Sequence, residues 1–110
     1  MFTINGETWH IVIVSPWHPA LQKDNGDYAL GMCYDGNKTI YISAAIEEDS
    51  SLFWKVLCHE ITHAAMFSYN VDLNIDQEEL IAELISTYGF EIIEITNKIF
   101  YHIQERGNYY

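Results

Sequence analysis

Hydrophobic and polar positions change period along the chain. Phe2 to Ile4 and Thr8 to Val14 are β-prone runs on either side of Asn5-Gly6, a pair that readily takes the positive φ angles of a tight hairpin turn. From Ser15 to Asp27, Pro16, Pro19, Asn25 and Gly26 punctuate the backbone, predicting a loop with one helical turn around Ala20-Leu21-Gln22. A second hairpin is expected from Tyr28 to Tyr34 and Lys38 to Ala44. Its arms are separated by Asp35-Gly36-Asn37, and Ile40 and Ile42 alternate with Thr39, Tyr41 and Ser43. These runs predict a small antiparallel sheet of about four strands.

The period then becomes helical. After Glu47-Glu48-Asp49, Ser50 or Ser51 is expected to cap a helix running to about Tyr69, with Asn70 ending it. Leu52, Phe53, Val56, Leu57, Ile61, Ala64, Ala65, Met66 and Phe67 fall on nearly every side of that helix. A helix apolar all round is buried all round, so it is expected to lie between the sheet and a second helix. The second helix is predicted from near Asp76, a candidate cap, to about Gln104. Its strongest apolar stripe, through Ile81, Leu84, Ile85 and Tyr88, is centred opposite Glu79 and Glu83. The fold class is α+β, with residues 1-110 forming one domain.

Composition narrows the partners. The 110 residues are 49% hydrophobic and 15% aromatic, enough for a small core and too apolar for disorder. A formal charge of -11 disfavours nucleic acid and anionic membranes as partners. No apolar run approaches the roughly 18 residues of a membrane span. Met1 leads directly into Phe-Thr-Ile-Asn-Gly without a charged leader, so a cytoplasmic location is expected. Two cysteines, Cys33 and Cys58, are too few for a disulfide scaffold and are read as core thiols.

The segment Cys58-His59-Glu60-Ile61-Thr62-His63 contains H-E-x-x-H in the middle of the first predicted helix. Positions four apart lie about 6 Å along the axis and about 40° around it, so His59 and His63 can offer two imidazole nitrogens to one tetrahedral ion. Glu60 sits about 100° from His59, aside from the ligand pair yet within reach of a water held there. It is read as the general base, taking the water's proton during attack on a carbonyl and returning it to the leaving amine. Shuffling this composition yields the motif in about two chains of a hundred. The apolar setting strengthens it, because two histidines and a glutamate buried without a partner are costly.

An open zinc site needs a third protein ligand. Candidates lie in Asp76-Gln77-Glu78-Glu79-Leu80-Ile81-Ala82-Glu83, with Glu78, Glu79 and Glu83 all within the run. Here the chain resembles the gluzincin-type zincin metallopeptidases, in which a glutamate on a following helix completes the site and an acidic residue four positions later supports a ligand histidine. It also resembles the E-x-x-A pattern of ImmA/IrrE-like peptidases, often carried by phages and mobile elements, with Glu79 and Ala82 in the corresponding places. The resemblance spans Tyr28 to about Phe90, and in length the chain is closest to the minimal gluzincins. It implies a zincin-like fold, Zn2+ bound by His59, His63 and Glu79, Glu60 as base, and Glu83 hydrogen-bonded to a ligand histidine. Small residues Ala82, Ser86 and Gly89 flank the acidic side and permit close helix approach, which favours Glu79 over Glu78.

The expected activity is hydrolysis of peptide bonds in a protein or peptide substrate, held by strand addition to the hairpin containing Lys38 to Ser43. His10, His18 and His102 are read as ordinary strand, loop and surface residues. Tyr41, Tyr69 and Tyr88 are candidate donors to a developing oxyanion, and the tail from Gln104 to Tyr110 is a candidate self-inhibiting segment. The alternative is a non-catalytic, zinc-stabilised module that binds a basic protein. Oligomeric state is left open.

Overall fold

A computed structural model describes residues 1-106; of the candidate self-inhibiting tail from Gln104 to Tyr110, residues 104-106 end the last helix and the rest lies outside the described residues. The first hairpin joins β1 (Phe2–Ile4) to β2 (Glu7–Val14), with Phe2 opposite Trp9. Its turn has φ of 48° at Asn5 and 77° at Gly6, the left-handed region that the Asn-Gly pair supplies at little cost. Pro19–Leu21 forms a single 3-10 turn, capped by His18 Nδ1 accepting from the Ala20 amide. The second hairpin pairs β3 (Gly31–Tyr34) with β4 (Thr39–Ser43) antiparallel.

The expectation of an antiparallel sheet is corrected. Strand order is β1-β2-β4-β3, and β2 runs parallel to β4, with Ile11 opposite Ile40 and Ile13 opposite Ile42. The long connection through residues 15–30 lets the later hairpin dock by either arm. The β-branched arm takes the interior place, where Ile40 and Ile42 are fully buried, and the arm containing Gly31 takes the edge. Of the hairpin expected to hold substrate, the arm from Lys38 to Ser43 falls largely on an interior strand, and the other arm, β3, is the edge.

After a 3-10 turn at Ala44–Ile46, α1 (Ser50–Ser68) begins. Its cap is Asp49 rather than either serine, the carboxylate accepting from the Leu52 amide at 3.1 Å. Asn70, at φ 54°, ends it. The helix α2 (Ile75–Arg106) follows after a short link. α1 lies between the sheet and α2, the layering its apolar girth predicts. The core gathers Trp9, Ile40, Ile42 and Ile46 against Ala64 of α1. Trp9 stacks on Phe67 and donates its indole N–H to Ser68 Oγ at 2.8 Å.

Burial of α1 on every side is also corrected. Trp54 is 45% exposed, because the sheet and the narrow face of α2 leave a flank of α1 open. α2 packs through Ala82 and Ser86, both buried, while Leu84, Ile85 and Tyr88 of its apolar stripe face outward. Small side chains win the interface because they let the helix backbones approach. Among the described residues, no helix is long and apolar enough to cross a membrane.

Candidate metal centre

His59 and His63 project from α1 one turn apart, with ring centroids 5.0 Å from each other. The start of α2 is fixed by a reciprocal cap: Asn74 Oδ1 accepts from the Gln77 amide at 2.9 Å, and Gln77 Oε1 accepts from the Asn74 amide at 3.2 Å. The cap thus lies two residues before the expected Asp76. Glu79 is left free of capping, and the close approach at Ala82 brings it over the two histidines.

Three donor atoms converge. Nε2 of His63 lies 3.0 Å from Glu79 Oε1, Nε2 of His59 lies 3.2 Å from Glu79 Oε2, and the two Nε2 atoms are 3.3 Å apart. Ligands bound at about 2.0–2.1 Å in a tetrahedron stand roughly 3.3 Å from one another. The cluster therefore has the spacing a small divalent cation requires, and the combination of imidazole and carboxylate is a donor set suited to one.

The remaining acidic residues of α2 divide their work. Nδ1 of His63 donates to Glu78 Oε1 at 2.8 Å, and the Glu78 side chain is only 14% exposed. That contact keeps the proton on Nδ1 and turns the Nε2 lone pair toward Glu79. From sequence alone Glu78 reads only as a possible third ligand. The signal that could have revealed it is the adjacency of two glutamates opposite a histidine pair whose outer nitrogens need acceptors. Glu83 lies 3.7 Å from His59 Nδ1, beyond hydrogen-bond range. Its Oε1 is held by Lys55 at 2.9 Å and by Thr87 at 3.1 Å, and these contacts lower its pKa.

Glu60 is buried against β3. Burial pushes its carboxyl up to about 7; His63 works against that shift and Glu79 adds to it. Gly31 makes room for it, since a Cβ there would lie 2.7 Å from Val56 Cγ1 and 3.0 Å from Glu60 Cγ. This role was not read from the sequence, although a glycine inside a strand is itself a sign of close approach. Glu60 and His59 open onto a cleft of about 350 Å³ between β3 and α1, bordered by Leu30, Leu52 and Val56.

The other candidates lie apart from the cluster. Tyr41 sits on the sheet face opposite Ile40 and Ile42, where it stacks on His18 and accepts from Asn37. Tyr69 and Tyr88 are exposed on α1's C-terminal cap and on α2. Cys33 and Cys58 are free thiols; burial pushes Cys33 up to about 12 and also raises Cys58. Comparison with known proteins finds no matching family model, no similar curated protein and no similar solved structure.

Proposed function

We propose that the protein is a zinc-dependent peptidase with a zincin-like arrangement, acting in the cytoplasm, where free thiols such as Cys33 and Cys58 are kept reduced. The observation that carries this reading is the triangle of His59, His63 and Glu79 donors, 3.0 to 3.3 Å on a side, with His59 and Glu60 lining one cleft.

These three residues would hold Zn2+, which when bound supplies Lewis acidity toward a water and a substrate carbonyl. Glu60 accepts the water's proton as the oxygen attacks and delivers it to the departing amine. Burial raises the proton affinity of this carboxyl in the cation-free protein, which favours its holding the proton between the two transfers. Glu78 holds His63 in the ligating tautomer. An extended peptide adds to the outer edge of β3, which brings a backbone carbonyl past Gly31 and Glu60.

The test is Glu60→Gln. Metal analysis should find zinc in both proteins, whereas hydrolysis of a mixed peptide pool, followed by mass spectrometry, should fall by about 10²-fold or more in the variant. Equal turnover in the two proteins, or absence of bound zinc in both, refutes the peptidase reading. The rival reading is a binding module with a structural cation. The open apolar face of α2 favours it, and it expects no hydrolysis from either protein.

A further inference from the structure

α2 carries a second pattern that the metal centre does not use. Ile85, Tyr88, Ile92, Ile95, Ile99 and His102 succeed one another at spacings of 3, 4, 3, 4 and 3. That alternation is a heptad seam, with isoleucine at each of its three a positions, 85, 92 and 99. The seam lies roughly a third of a turn from Ala82 and Ser86, the side packed on α1. Tyr88, Ile92 and Ile95 are 53%, 53% and 49% exposed. Beside the seam, an open groove of about 410 Å³ runs along the uncovered flank of α1, lined by Trp54, Leu57, Ile61 and Ile85. A contiguous apolar surface of this extent on one helix marks an interaction face.

We infer that two copies of this chain associate through α2, the helices antiparallel about a two-fold axis between residues 93 and 94. This inference is independent of the peptidase reading. Flanking charges select both partner and direction. Glu91 and Lys98 occupy g positions of the seam. In an antiparallel pair g faces g, so Glu91 of each copy meets Lys98 of the other; in a parallel pair they would face Thr96 and Ile103. The same register sets Ile92 against Ile95 at the centre, Tyr88 against Ile99, and Ile85 against His102. Each contact then occurs twice, which closes the assembly at a dimer. The C-terminal half of one α2 covers the groove beside Trp54 and Ile61 of the other copy. Antiparallel pairing also sends the two acidic bodies, each part of a chain carrying -11, to opposite ends of the coil.

Light scattering on the full chain at tens of micromolar tests this, with twice the 12.8 kDa chain mass expected. Ile92→Glu should yield the monomer while circular dichroism and zinc content stay unchanged, since position 92 is exposed in the single chain. Glu91→Lys should weaken association several-fold, and adding Lys98→Glu should restore it. Spin labels at position 104 should stand about 30 Å apart, against about 10 Å in a parallel pair. A monomeric wild type, which would assign the seam to a different helical partner, overturns the inference. So does a dimer that survives Ile92→Glu, a charge swap that fails to restore association, or a short label distance. Zinc binding and hydrolysis can succeed or fail separately from any of these results.

Discussion

Glu78 of α2 and His63 of α1 meet at 2.8 Å, carboxylate to Nδ1–H, on the side of the imidazole away from the nitrogen that faces His59 and Glu79. The pair ties the two helices together and determines which nitrogen of His63 carries the proton. Replacing Glu78 with glutamine or alanine is expected to weaken zinc binding by about 10–100-fold while leaving the three ligands in place. Competition against a chromophoric chelator measures it, and unchanged affinity would remove Glu78 from the centre.

Glu79 and Glu83 share a face of α2 but not a role. Glu79 oxygens lie 3.0 and 3.2 Å from the two Nε2 atoms, whereas Glu83 is drawn toward Lys55 and Thr87. Zinc quantification on Glu79→Ala and Glu83→Ala should show loss of the metal in the first and near-stoichiometric metal in the second. Equal content in both variants would reject Glu79 as a ligand.

Gly31 governs how closely β3 approaches α1. In Gly31→Ala the added methyl meets Val56 at 2.7 Å, and pushing strand from helix is expected to cost about 1–3 kcal/mol. The cleft beside Glu60 should widen with it. Thermal melting reports the first effect and peptide turnover the second; a variant with wild-type melting would show that the strand yields freely.

Stability of the cation-free protein should depend on pH through Glu60. Its carboxyl titrates near 7 in the fold against an ordinary 4.5, so between those values the folded state binds the proton more tightly than the unfolded state. Stability therefore falls as pH rises across that interval, by up to about 3 kcal/mol, and Glu60→Gln removes the decline. Urea melts in chelator at a series of pH values compare the two proteins; parallel profiles would assign the dependence to other groups.

In the core, Ser68 is the partner of the buried Trp9 indole. Ser68→Ala leaves that N–H without an acceptor and should destabilise the fold by about 1–3 kcal/mol. Denaturant unfolding followed by tryptophan fluorescence is a direct measure, and a change below a few tenths would mean that another acceptor takes over.

The sequence by itself determined what lies within single elements: the Asn5-Gly6 turn, the extent of α1 to within two residues, and a histidine pair one turn apart. Backbone dihedrals and periodicity are local, so a short window of residues suffices to read them. Tertiary structure alone decided that β4 and not β3 enters the sheet interior, that the apolar stripe of α2 is left outward, and that Glu78 serves His63. Each of those outcomes depends on how closely two elements approach and at what rotation. Both are set by the packing of side chains distant in sequence, and no periodicity within one segment encodes them.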